Sequence, residues 1–143
     1  MTSSGKIIYT VFLLAGTIAL LEACMNKGAD QFAAAIPDSV SYNFDIRPIL
    51  SDKCLACHGP DANKREAGLR LDIADSAYSA LKENPTAHAI VAFKPEFSEA
   101  YLRISSKDTS FMMPPPASNL KLSQREVDLI KKWISQGAKY EKH

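Results

Sequence analysis

Hydrophobic and polar positions divide the chain into an apolar head, a patternless stretch and a set of short periodic segments. Ile7 to Leu21 is apolar over about 15 residues, interrupted mildly by Thr10, Gly16 and Thr17. A bilayer-spanning helix needs about 20, so the run fits the apolar part of a secretory signal, with Lys6 as its positive flank. From Met25 to Ser41 no period is sustained and Ala, Gly, Asp and Asn dominate, the composition of a tether. Helical spacing begins with Ile46, Ile49 and Leu50, where Asp45 is placed to cap and Pro48 falls in the first turn. Leu69 and Leu71 alternate with Arg70 and Asp72, an extended pattern with leucines inward. A short helix is expected over Asp75–Lys82, stopped by Asn84-Pro85. A strand-like run follows at Ala89–Phe93, then a helix over Pro95–Ile104 with Phe97, Tyr101 and Ile104 on one face. The clearest element is the last. Ser123-Gln124-Arg125-Glu126 forms a capping box, Val127, Ile130, Trp133 and Ile134 recur at helical spacing, and Gly137 supplies the stop. The pattern predicts a small, mainly α domain with short extended segments and long loops.

These boundaries imply a signal peptide over residues 1–23, a tether over 24–41, one folded domain over 42–140 and a short tail over 141–143. About 100 residues suit a single small core. The net charge of +1 is spread without a basic stripe, which excludes nucleic acid as the expected partner.

Candidate chemistry enters at Leu21-Glu22-Ala23-Cys24, which resembles a bacterial lipobox with Cys24 as the lipidated residue; Glu22 departs from the usual pattern. An uncleaved N-terminal anchor is the alternative. Either form exports the remainder and tethers it to a membrane in the cell envelope.

The strongest motif is Cys54-Leu55-Ala56-Cys57-His58. Two cysteines two residues apart, followed at once by histidine, match the attachment sequence of a c-type haem. Each sulfur adds to one vinyl group of the same porphyrin edge, and His58 then lies under the ring as an iron ligand. A zinc site needs further ligands, and Cys24, His88 and His143 do not provide a second knuckle spacing. A thioredoxin-like pair needs strand–helix alternation around it, which is missing. With Cys24 lipidated and Cys54 and Cys57 holding haem, all three cysteines are used and none is left for a disulfide.

Phe111-Met112-Met113-Pro114-Pro115-Pro116 supplies the sixth-ligand candidates. Methionine sulfur is a usual axial ligand in cytochromes c and raises the potential. Neighbouring side chains of an extended segment point to opposite sides, so one of Met112 and Met113 faces the iron. Met113 is favoured because Pro114 restricts its backbone; the competing reading makes both methionines core filler. His88 and His143 are the other axial candidates, one in a loop and one at the chain end. Arg70 is a candidate partner for a haem propionate.

At this point a resemblance becomes specific. The run Phe44–Ser51, the motif Cys54–Asp61, Ala67–Asp72, Ala89-Ile90-Val91 with Lys94-Pro95, Met113-Pro114-Pro115, and Trp133-Ile134 with Gln136-Gly137-Ala138 resemble the planctomycete-type cytochrome c domain. The resemblance spans Tyr42 to Tyr140. It implies a small helical cytochrome c fold around one covalent haem c, bound at Cys54 and Cys57, with His58 and Met113 as axial ligands. Domains of this family commonly head longer exported proteins of glycan-degrading bacteria, so the chain is expected to be either a stand-alone lipoprotein or the front of something larger.

Two classes of function follow. An electron carrier has both axial positions filled and meets redox partner proteins at an exposed haem edge through small, transient contacts. A haem enzyme or sensor needs an open sixth position and distal acid–base groups; no obvious distal histidine or carboxylate adjoins Met113 in the sequence, which leaves Glu and Asp residues elsewhere to fold in. A docking domain that uses haem mainly as a core is a weaker third reading.

Overall fold

The structure, a computed structural model, describes residues 35–141. The signal segment, Cys24 and most of the expected tether lie outside the described residues, as does His143. Residues from Ile36 onward form one compact unit.

The domain opens at Ser41, four residues before the expected cap. The Ser41 hydroxyl accepts the Phe44 N–H at 3.4 Å, and the Asp45 carboxylate accepts the Ser41 N–H at 2.8 Å. Asp45 is thus the back-reaching half of a reciprocal cap. A π-helical turn, Tyr42–Ile46, runs directly into α1, Arg47–Lys53, with Pro48 in its first turn. Cys54 breaks the helix, and a single further turn, α2, Leu55–His58, carries the rest of the motif.

α3 spans Ala74–Tyr78, four residues shorter than the sequence pattern predicts at its C-terminal end. Ser79 turns extended, and the Leu81 N–H bonds to the Ala87 carbonyl at 2.9 Å across the Asn84-Pro85 turn. The helix expected over Pro95–Ile104 is also divided. A 3₁₀ turn, Pro95–Phe97, ends at Ser98, and α4 spans Glu99–Ile104. Two long-range bonds impose the break: Glu99 N–H to His88 carbonyl and Ala100 N–H to Ala89 carbonyl, each 3.0 Å. Phe97 consequently leaves the shared face and is 63% exposed. Among the described residues the extended runs expected at Leu69–Asp72 and Ala89–Phe93 form no strand, and the isolated bridges fall outside them, Ala80 with His88 and His88 with Ser98.

α5, Gln124–Ser135, is as the pattern predicts, with both bonds of the Ser123/Glu126 capping box present. Gly137 ends it at φ +101°, a left-handed backbone that side chains resist. The core gathers Ile46, Ile49, Leu50, Leu71, Ala77, Ile90, Leu129, Ile130, Trp133 and Ile134. Four aromatic rings cement it: Tyr42 to Tyr140 at 4.6 Å, Trp133 to Tyr140 at 5.3 Å, and Tyr42 to Trp133 and Tyr78 to Tyr140 at 5.8 Å. Three of them place their polar ends on backbone carbonyls. Tyr140 donates to Leu71 at 2.9 Å, Trp133 to Lys139 at 3.1 Å, and Tyr78 to Ala138. Val40, which the pattern assigns to the tether, is buried in this core, and Ile36 packs against it. Among the described residues no helix is long and apolar enough to cross a membrane.

Candidate haem site

Cys54, Cys57 and His58 are brought together by the kink between α1 and α2. The Cys54 carbonyl accepts the N–H groups of Cys57 at 3.1 Å and His58 at 2.8 Å, which folds the five-residue motif into one tight turn. The following loop fastens that turn from outside. Glu66 N–H donates to the Cys57 carbonyl and Leu71 N–H to the His58 carbonyl, both at 2.8 Å. Arg65 adds two bonds, from Nε to the Gly59 carbonyl at 2.9 Å and from Nη2 to the Pro60 carbonyl at 2.7 Å. Gly59 is required after His58, because a Cβ there would stand 2.2 Å from the Leu55 carbonyl oxygen.

The two thiols are unpaired and differ in setting. Cys57 is exposed. Cys54 is largely buried, and burial first, then the Glu126 carboxylate of α5 and the neighbouring Cys57, push its thiol up to about 12. His58 is half-buried, and burial pulls its imidazole below the usual value. The backbone and charge of Glu66 oppose that shift, and the Arg103 cation reinforces it. The ring is therefore neutral at physiological pH, the form that donates a lone pair to a metal. Its Nδ1 is buried with no hydrogen-bond partner.

Phe111, Met112 and Met113 form the other candidate part. All three are half-buried, yet they stand outside the core cluster and the residues packed on it. The Asp108 carbonyl accepts the Phe111 and Met112 N–H groups at 3.0 and 2.7 Å, while the Met113 N–H turns to the Arg103 carbonyl at 3.1 Å. The Met113–Pro114 peptide is cis.

The other sequence candidates are placed differently. Arg70 is held in a two-point pair with Asp72, Nε to Oδ1 at 3.1 Å and Nη2 to Oδ2 at 2.5 Å. His88 is half-buried, with Nδ1 2.8 Å from the Tyr78 carbonyl, beside a cleft of about 340 Å³ lined by Tyr78, Ile90, Val91 and Gly137. Arg65 and Arg103 were not singled out by the sequence. Arg65 bonds to backbone carbonyls, which leave no residue signal, whereas Arg103 had one in its i,i+4 spacing from Glu99.

Two free thiols on one turn, a neutral imidazole with an orphaned nitrogen and two half-buried thioethers off the core fit a haem c. Among the described residues no three His, Cys, Asp or Glu side chains gather to hold a bare metal ion.

Comparison with known proteins agrees. No curated protein and no solved structure matches the chain. Residues 54–117 match the family described as Planctomycete cytochrome C. That segment begins at the first cysteine of the motif and ends just beyond the proline run that follows Met113. Over those residues the chain is similar to a planctomycete-type cytochrome c domain, a kind of domain that implies haem c binding.

Proposed function

We propose that this domain transfers single electrons through one haem c, joined by thioethers to Cys54 and Cys57 and ligated by His58 and Met113. Bound haem c supplies an iron centre that alternates between ferric and ferrous. The remaining work falls to the polypeptide. The α1–α2 kink presents both sulfurs on one turn, and the 61–71 loop holds that turn rigid. Burial keeps His58 neutral and available to iron. Met113 would supply the second ligand, and a thioether in that role would favour the reduced state relative to a second histidine. Arg70 is the weaker candidate for a propionate, since its fork already holds the Asp72 carboxylate. Exposure of Cys57 supports a haem edge open to redox partner proteins. Export, with Cys24 as the lipid-bearing residue, belongs to the same reading and would tether the carrier in the cell envelope.

The observation that carries the proposal is the conjunction of His58 with an orphaned, buried Nδ1 and the half-buried methionines outside the core. The test uses protein made with cytochrome maturation machinery. Haem staining of denatured wild type is expected to persist and to vanish when Cys54 and Cys57 are both serine. Met113→Ala is expected to lower the reduction potential and to make the ferrous form bind carbon monoxide. Ready carbon monoxide binding by wild type, unchanged in Met113→Ala, would refute axial Met113. Peroxide turnover above that of free haem would favour an enzyme instead.

A further inference from the structure

Arg103, near the end of α4, holds the Phe111–Met113 part of the candidate site. Its carbonyl accepts the Met113 N–H at 3.1 Å. Its guanidinium carbon lies 4.4 Å from the centroid of the Phe111 ring, and Nη1 is 3.5 Å from the Phe111 carbonyl oxygen. Glu99, one turn earlier, fixes the fork through Nε at 3.1 Å. The bonds around Asp108 are internal to the loop: its Oδ1 takes the Ser110 N–H and hydroxyl at 2.9 and 2.7 Å. They shape the loop without fastening it to a helix. Contacts to Arg103 do fasten it, and they fall on the two residues that flank Met112.

We infer that Arg103 is a positioning residue for the sixth ligand: anchored by Glu99, its guanidinium clamps the Phe111 ring and so holds Met113 where the iron can bind it. The inference rests on the proposed His58/Met113 ligation. A thioether is a weak ligand, and the loop bearing it has no core contacts to hold it in place. A flexible loop loses conformational freedom each time the bond forms, so a prior clamp strengthens the bond by removing that cost. Arginine suits the task because its planar fork can pair with a carboxylate and stack on a ring at once. Lysine keeps the charge but offers neither geometry.

The test is imidazole binding to the ferric holoprotein, since imidazole must displace the thioether, read together with the near-infrared absorption that marks sulfur on ferric iron. Arg103→Met keeps an apolar stem and the backbone carbonyl but loses the clamp. It is expected to bind imidazole about five-fold more tightly than wild type, the factor expected for losing one exposed cation–ring contact. Arg103→Lys should shift the same way, and Glu99→Gln by less. Phe111→Leu removes the ring while leaving the Arg103–Glu99 pair; it must reproduce the shift and stands in if Arg103→Met does not fold. Imidazole affinities in Arg103→Met and Phe111→Leu within two-fold of wild type, with the sulfur absorption intact, overturn the clamp alone. A wild type that lacks that absorption overturns the ligation and the clamp together.

Discussion

Ser98 is the sharpest place to test how the fold is held. It is fully buried, and its hydroxyl does two things: it accepts the Val91 N–H at 2.9 Å and donates to the Lys94 carbonyl at 2.9 Å. The same residue ends the 3₁₀ turn and starts α4, so its hydroxyl braces the turn beside the break that the backbone bonds of Glu99 and Ala100 impose. Ser98→Ala removes one oxygen and leaves the Val91 N–H without its partner at a fully buried residue, while the Lys94 carbonyl keeps the Phe97 N–H at 3.1 Å. A buried group left unsatisfied costs about 1–3 kcal/mol. The void left by one oxygen is small, so a total of about 2 kcal/mol is expected, or about 10 °C in Tm for a domain of this size. The assay is urea unfolding of the holoprotein followed by far-ultraviolet circular dichroism, with Ser135→Ala as the control. Ser135 also donates its hydroxyl to a backbone carbonyl, that of Lys131 at 2.9 Å, but it is exposed. Its loss is expected to stay within about 0.5 kcal/mol. If Ser98→Ala costs no more than Ser135→Ala, the buried hydroxyl does not hold the turn.

Two further outcomes follow from local interactions. The Arg70 hydrogen bonds hold the Asp72 carboxyl below its ordinary range, against the opposing effect of burial. A carboxyl depressed in the fold adds stability above its unfolded value and loses it as pH falls through the folded value. Asp72→Asn should therefore differ from wild type most at neutral pH and converge with it in acid; unfolding curves that stay parallel from pH 7 to pH 3 would exclude the linkage. At the start of α5, Ser123→Ala removes a cap whose hydroxyl accepts the Glu126 N–H at 3.3 Å. A loss of about 1 kcal/mol is expected, largely restored by Ser123→Asp, and equal stabilities of alanine and aspartate variants would show that the cap contributes nothing.

What the sequence reveals and what it hides divide along contact range. The capping box, the stripe of Val127, Ile130, Trp133 and Ile134, and the Gly137 stop are legible because their partners lie within about one turn of them. The haem motif is legible for a different reason: its chemistry depends on spacing within five residues. Ser98 is illegible as a helix break because the groups that impose it, the His88 and Ala89 carbonyls, are each eleven residues away from the N–H groups they accept. Val40 reads as tether because a lone valine carries no period; its N–H bonds to the Gln136 side chain at 3.0 Å, from the other end of the domain. Ser41 and Asp45 were both visible, but a carboxylate can cap forward or reach back, and only the backbone decides which.

The distribution of packing explains why the two halves of the candidate site are held by different means. Among the described residues the longest helix has 12 residues and α2 has four, lengths at which isolated helices are marginal in water. Stability must then come from tertiary contacts, and these concentrate on the side that carries the cysteines. Cys54 and Leu55 pack on the core, Tyr140 and Trp133 close it, and the 61–71 loop pins the turn by backbone bonds. The Phe111–Met113 side has no such support and relies on Arg103 and Asp108. Under the proposed attachment that asymmetry is workable. The cysteine side would be bonded covalently and is braced by the core, while the side proposed to ligate through a weak thioether would need only one clamp. Locally unstable segments tend to coincide with ligand-binding loops, and under the proposed Met113 ligation the loop's low packing would leave the strength of the axial bond, and with it the potential, open to adjustment by single residues without loss of the fold.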